Sequence, residues 1–465
     1  VNAEGKSANS PGQGPSTGDG PAPHLKRVLK IQDLVFFGLV LIQPIAPVGI
    51  FGLSCQLSRG HAATTILVAM VAMSLTALSY GRMAALYPSA GSAYTYVGRG
   101  LGAHLGFLAG WAMFLDYLLI PLINIVYGSL TLQRLIPMVP YAVWVVLLAV
   151  ATTALNLRGV KATARANTML LAVMCLVVAG FVVLAIRYLA LKAGWAGVFS
   201  VKPIYDARTF NWSAIATATS LAALTYIGFD GVTTLAEEVK NPKRNVPMAT
   251  VLVCLLTGLF SVVEVYLAQM AWPDYSTFTN PETAFMDVTR LVGGAGLFQA
   301  MGLVLILACL GSGLAGQAGL ARLLYGMGRD GVLPQRVFGH LSPGSNIPSY
   351  NIVMTALLGL AGALVVPYER AAELLNFGAF LAFMGVNLAA IREYAFRRPG
   401  GRKPQVLLDV FAPGLGFLVC LVIWLSLPRP AKLAGGAWLA LGIAYLAVIT
   451  RGFRKAPARL DLRGA

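Results

Sequence analysis

Gln43-Pro44-Ile45-Ala46-Pro47-Val48-Gly49-Ile50-Phe51-Gly52 puts two prolines and two glycines in the middle of an apolar segment long enough to cross a bilayer. Proline lacks an amide hydrogen and its ring clashes with the preceding helical turn. An unbroken helix therefore cannot run through this stretch, and the backbone at Ile45, Ala46, Val48 and Gly49 is expected to be unwound near the bilayer midplane. Free backbone groups persist at that depth only where they line a cavity inside the protein. A second interruption follows in Tyr226-Ile227-Gly228-Phe229-Asp230-Gly231, where two glycines bracket an acid in an otherwise apolar run.

Around these breaks the 465-residue chain is 57% apolar and only 11% charged, whereas soluble proteins carry about a quarter charged residues. That composition excludes an ordinary soluble enzyme. The apolar runs are continuous rather than alternating over about 10 residues, which excludes a transmembrane barrel. Each helical crossing takes about 20 mostly apolar residues. The runs predict an all-α polytopic membrane protein with twelve transmembrane helices, near residues 31–58, 62–87, 101–132, 138–157, 165–191, 211–239, 246–271, 284–326, 349–366, 371–394, 406–427 and 433–451. The breaks fall in helices 1 and 6. That spacing of five predicts a 5+5 inverted repeat, with helices 1–5 in residues 24–200, helices 6–10 in 201–395, and helices 11 and 12 with a basic tail in 396–465. Two discontinuous helices at corresponding positions of two halves mark the binding site of a secondary transporter. The competing reading is a set of proline kinks and glycine packing notches.

The net charge of +17 is distributed as a membrane topology signal, since this assignment puts 25 of the 35 Lys and Arg on the side of the N-terminus. Both termini are then cytoplasmic, in a bacterial-type inner (plasma) membrane. The clusters at Lys26, Arg27 and Lys30, at residues 392–403 and at 451–463 are short and lack interleaved aromatics, so the partner they imply is the lipid bilayer and not nucleic acid. Residues 1–23 are rich in Gly, Pro and Ser and predict a disordered cytoplasmic tail. Nothing in the sequence specifies an oligomeric state.

Five cysteines stand singly in apolar helices and four histidines fall at helix ends or in loops, which suggests neither a metal site nor a catalytic dyad. No cofactor and no enzymatic activity are expected. Gly326, Gly328 and Gly331 spell G-x-G-x-x-G, but an apolar helix precedes them in place of the strand that dinucleotide binding requires, so a glycine-rich turn is expected.

Asp116, Asp230 and Glu264 lie inside apolar helices with no Lys or Arg comparably deep. An isolated ionised acid at mid-membrane costs about 2.5–3.5 kcal/mol on insertion scales, so the three call for protons, water or a cationic ligand. Asp230 either caps the half-helix that follows it or binds a substrate cation, and the roles can coexist. Asp116 is open to three roles: bonding a neighbouring hydroxyl, carrying a proton, or holding a cation. Glu264 is expected toward the extracellular end of helix 7, beside a wet vestibule, with a gating role or none. Glu237 and Glu238, at the cytoplasmic end of helix 6, are expected to pair with Arg82, Arg158 or Arg165 in a structural or gating role. Tyr117, Tyr226 and Phe229 offer ring faces to an ammonium group. Met113, one turn before Asp116, the backbone at Ile227 and Gly228, and Asn376 and Phe377 on helix 10 complete the candidate site.

The segment Glu237-Glu238-Val239-Lys240-Asn241-Pro242-Lys243-Arg244-Asn245-Val246-Pro247 resembles the E-x-x-x-N-P-x-R-x-x-P signature of the amino acid, polyamine and organocation transporter superfamily. Gly159-Val160-Lys161 with Ala164-Arg165 and Asn167, and Met327-Gly328-Arg329-Asp330-Gly331-Val332-Leu333-Pro334, are also similar to that family. The resemblance implies the leucine-transporter fold, a substrate held between helices 1 and 6 beside helices 3, 8 and 10, and alternating access. Amino acid carriers of the superfamily have a G-S-G-type segment in helix 1 whose amides hold the substrate carboxylate. Here the matching positions read Pro47-Val48-Gly49, which removes one donor. Together with Leu115-Asp116-Tyr117-Leu118-Leu119-Ile120-Pro121 and Gly228-Phe229-Asp230-Gly231, that segment resembles the bacterial putrescine importers. The resemblance places Met174 where some cationic amino acid carriers have a coupling lysine, and a lone hydroxyl, Ser312, where sodium-coupled relatives have a pair. The expected function is import or exchange of a small organic cation such as putrescine, with an amino acid permease as the alternative. Coupling by a proton on Asp116, Asp230, Glu264 or Glu237, or by cation exchange, stays open. Broken helices argue against a simple pore.

Overall fold

The computed structural model describes residues 29–88, 91–159, 164–329, 333–342, 347–401, 403, 405–455 and 457. The expected tail at 1–23, Lys26 and Arg27, Lys161, the motif residues 330–332 and the terminal basic run from 458 lie outside the described residues.

Each apolar segment is helical. Helices 2 to 5 span Ala62–Leu86, Ala103–Leu135, Tyr141–Leu157 and Ala164–Ala193, and helices 7 to 12 span Pro242–Ala271, Ala284–Arg329, Ser349–Val365, Tyr368–Ile391, Ala412–Leu425 and Arg429–Ile449. Among the described residues ten helices are long and apolar enough to cross a membrane, and Tyr141–Leu157 and Ser349–Val365 are shorter apolar helices.

Helix 1 breaks where its prolines require it. An α-helix over Ile31–Ile42 ends at Gln43, whose φ is 71°, a 3-10 turn covers Ala46–Gly49, and the helix resumes over Phe51–Leu57. Helix 6 runs as α-helix over Trp212–Ala222, tightens to 3-10 over Ala223–Tyr226, and reverses at Gly228, whose φ of 116° only glycine adopts without strain. Its second half, Phe229–Glu238, is 3-10 rather than the expected α-helix.

Three features were not foreseen. Ser92–Gly100 forms a nine-residue helix lodged against helices 3 and 10; it is too short and too polar to read as a span. π-helical turns over Arg392–Arg397 and Leu407–Phe411 join helix 10 to helix 11. Helix 8 is interrupted at Gly294, with φ 67°.

The most extensive interface is helix 2 on helix 7, where small residues let the backbones approach: Gly81 lies against Pro247, and Gly258 against Met70. Helix 3 on helix 8 comes next. Exchanging the numbers of helices 1 to 5 with those of helices 6 to 10 carries many of the packed pairs onto other packed pairs. The pair 1–7 maps onto 6–2, 3–10 onto 8–5 and 3–9 onto 8–4, while 2–7, 3–8 and 4–9 map onto themselves. The start of helix 1 is tied to the end of helix 6 by Leu29 N–H to Glu238 O (3.0 Å) and Lys240 N–H to Leu29 O (2.9 Å).

Candidate functional site

Among the described residues six Asp and Glu side chains are buried, and no Lys or Arg is. Three of the six sit at helix ends and have an arginine: Asp409 pairs with Arg82, Glu373 with Arg370 (2.8 Å) and Glu393 with Arg397 (2.5 Å). The other three are Asp116, Asp230 and Glu264, and none has a basic partner among the described residues. These are the acids whose isolation stood out in the sequence.

Helix 3 carries Asp116 about 20 Å from its start at 1.5 Å per residue, level with the break in helix 6. There Asp116 and Asp230 lie within electrostatic reach of one another and of Tyr80 and Tyr117. Gly228, not Asp230, takes the N-cap position of the 3-10 segment, and Asp230 follows in its first turn. The Asp230 carboxylate still faces the backbone amides of Gly228, Asp230 and Gly231, so amide dipoles meet part of its charge. Thr233 Oγ1 donates to the Asp230 carbonyl at 2.6 Å. Asp116 has no such support: its Oδ1 is fully buried and makes no hydrogen bond.

Aromatic rings wall this pair on the side of the basic helix ends. Phe229, expected from the sequence, has its ring centroid 5.4 Å from that of Tyr80 on helix 2 and 5.1 Å from that of Phe383 on helix 10. Tyr80 also meets Phe383 at 5.7 Å and Tyr96 of the short helix at 5.9 Å, both edge to face. Sequence reasoning missed Tyr80, Tyr96 and Phe383, because no break, charge or motif marks them. On the opposite side Tyr127 and Tyr368 approach at 5.2 Å over the helix 1 break. A side chain added at Gly49 would meet the Tyr368 hydroxyl at 2.8 Å and the Tyr127 ring at 3.1 Å, so glycine is needed there. Both aspartates are buried, each 5% exposed.

The remaining candidates divide. Ile45 and Val48 are buried in the helix 1 break, beside Ala46, and Gln43 Nε2 pins that break to helix 8 by donating to Ala308 O (2.7 Å). Ile227 and Gly228 bring the helix 6 break onto the end of helix 1, near Leu41. Tyr117 lays its ring over Gly319 of helix 8. Met113 is buried in the apolar core. Asn376 Nδ2 donates to Ser220 O at 2.6 Å, joining helix 10 to helix 6.

The Tyr226 hydroxyl donates to Ile66 O of helix 2 at 2.9 Å. Other expectations are corrected. Phe377 points away, against Trp424 (5.1 Å) and Gly435 on helices 11 and 12. Arg82, expected opposite Glu237 or Glu238, instead joins Asp409 and lies 3.8 Å over the Tyr394 ring; the Glu237 side chain lies outside the described residues. Glu264, expected beside a wet vestibule, is fully enclosed. Met174 is buried, and Ser312 Oγ accepts a hydrogen bond from Asn124 Nδ2 (3.1 Å).

The model of the amino acid permease family matches residues 40–426. The low-affinity putrescine importer PlaP of Escherichia coli K12 is 34% identical over 92% of this chain and 95% of its own length. The vacuolar cationic amino acid transporter 4 of Arabidopsis thaliana is 30% identical over 80% of this chain and 64% of its own. The branched-chain amino acid permease BcaP of Lactococcus lactis is 26% identical over 93% of this chain and 96% of its own. Membrane-crossing helices and transporter relatives together make this a multi-pass membrane protein.

Proposed function

The chain belongs to the amino acid permease family, and from that premise we propose that it is a secondary carrier for a small organic cation, a diamine such as putrescine, working by alternating access. The observation that carries this reading is the pair of buried aspartates, Asp116 and Asp230, with no basic partner and with an aromatic wall beside them. Two ammonium groups on a short apolar linker would neutralise two acids and lay charge against ring faces, a contact worth about 2 kcal/mol when desolvated. The name of the importer relative supports the same cargo.

An amino acid permease is the second reading, favoured by the names of the cationic and branched-chain relatives. Against it, Pro47 contributes no amide to the helix 1 break, and the Val48 amide is already bonded to Ile45 O (3.1 Å). Little there would hold a substrate carboxylate. The twelve helices are read as twelve spans in a 5+5 inverted repeat, a leucine-transporter-like arrangement supported by the exchange symmetry of the helix pairs. The basic helix ends, and with them both termini, face the cytoplasm of a bacterial-type inner membrane.

Counterflow of labelled putrescine in proteoliposomes, competed by cadaverine, ornithine, arginine and leucine, tests the cargo. Saturable putrescine exchange blocked by diamines is expected. Exchange of leucine or arginine with none of putrescine would establish the permease reading instead.

A further inference from the structure

We propose that Glu264 binds the proton that drives uptake, on an acid separate from the two that hold the cargo; this rests on the carrier reading above. Glu264 is fully buried, and neither carboxylate oxygen makes a hydrogen bond. Two hydroxyls of the same helix, Thr257 Oγ1 and Ser261 Oγ, are also buried without a partner. Buried polar atoms are nearly always bonded, and here three side chains leave four such atoms open along two turns of one helix, both oxygens of an acid among them.

The helix geometry says what they face. Val253, Thr257 and Glu264 are four and eleven residues apart, close to whole turns, and share one stripe of helix 7. Val253 packs against Gly38, so this stripe faces helix 1, and helix 7 also touches the unwound turn Ala46–Gly49. A movement of the broken helix 1 would therefore cover or uncover Glu264.

Among the described residues no cation pairs with it. The elements packed on helix 7 bring Asp33 and Cys55 from helix 1, Tyr80 and Arg82 from helix 2, Cys175, Arg187, Tyr188 and Lys192 from helix 5, Tyr226, Asp230 and Glu238 from helix 6, and Asp287, Arg290, Cys309, Arg322 and Tyr325 from helix 8. Arg82 is held by Asp409, Arg290 lies over the Phe298 ring, Lys192 over the Tyr188 ring, and Asp287 is paired with Arg134. The Cys175 thiol lies within electrostatic reach of Glu264. An unpaired carboxylate enclosed in a membrane is costly, and one bound proton removes the charge. In the cycle a proton reaches Glu264 while helix 1 exposes it to the outer side, rides through the enclosed state, and leaves to the inner side.

The full-length protein in proteoliposomes tests this. Putrescine counterflow at equal pH comes first; if it is absent the cargo reading fails, and whichever of cadaverine, arginine or leucine is exchanged becomes the label. Accumulation under an acid-outside gradient follows. Wild type should accumulate substrate, and Glu264→Gln should lose at least about tenfold of that accumulation while counterflow falls less than about threefold. Wild type indifferent to the gradient, or Glu264→Gln accumulating like wild type, overturns the proposal. So does equal loss of both activities in a variant that thermal denaturation shows to be folded. Should the Gln variant not fold, Glu264→Asp decides: a shifted pH dependence of accumulation supports the assignment and an unshifted one overturns it.

Discussion

The helix ends and the middle of the molecule treat buried acids in opposite ways. At the ends Asp409, Glu373 and Glu393 each hold an arginine: the Asp409 pair joins helix 2 to the connection before helix 11, and the other two pairs lie within single helical turns. In the middle Asp116 and Asp230 lie within electrostatic reach of one another, with no buried arginine or lysine among the described residues. Breaking a buried ion pair leaves a charge stranded, so the proposed carrier role has a cation from outside meet the two central acids, for which the described residues offer no arginine or lysine. The two central acids differ as well: backbone amides support Asp230, and nothing supports Asp116.

The comparison breaks if the two classes of acid respond alike to mutation. The largest effect is expected at the ends: Arg82→Ala strands Asp409 and should cost about 3–5 kcal/mol of stability, read by thermal denaturation, with part of the loss recovered when Asp409→Asn is added. Next, Asp116→Asn should leave stability nearly intact but weaken cation uptake by about 2–5 kcal/mol, at least roughly thirtyfold, as for loss of one partner of a desolvated charge pair. Asp230→Asn should be milder, about 1–2 kcal/mol, because the amides that face its carboxylate serve an amide oxygen too. Phe383→Leu should cost about 0.5–2 kcal/mol in apparent affinity if its ring faces the ammonium, with maximal rate less affected.

The smallest effect lies outside the bilayer. His61, buried at the start of helix 2 with Nε2 3.0 Å from Thr209 Oγ1, is held below its usual value near 6.5 by burial. The unfolded chain then binds the proton first, so stability is full above pH 6.5 and falls as pH drops through that value. His61→Gln should flatten that slope in a pH series of melting curves.

How much of this was legible follows from what each signal encodes. Proline and glycine change backbone geometry directly, so the breaks at Gln43 to Gly52 and Tyr226 to Gly231 could be placed to within a few residues: α-helix resumes at Phe51 in the first and gives way already at Ala223 in the second. A lone acid in an apolar run is equally plain, and among the described residues Asp116, Asp230 and Glu264 are the buried acids without an arginine. Rotation about a helix axis is another matter. In a helix apolar all round no stripe tells lipid from core, so adjacent Asn376 and Phe377, 100° apart, could not be sorted: one reaches helix 6 and the other faces helices 11 and 12. Tyr80 and Phe383 were invisible for the same reason. Ser92–Gly100 escaped because a nine-residue helix with polar and charged residues reads as a loop until helices 3 and 10 are there to hold it.

The most direct test is equilibrium binding of labelled putrescine to the purified protein in detergent, comparing wild type, Asp116→Asn and Asp409→Asn at one pH. The account predicts saturable binding in wild type, near-complete loss in Asp116→Asn, and binding retained in whatever fraction of Asp409→Asn remains folded. Wild-type affinity in Asp116→Asn would contradict it, since the unpartnered acid at the centre would then not be where the cation sits.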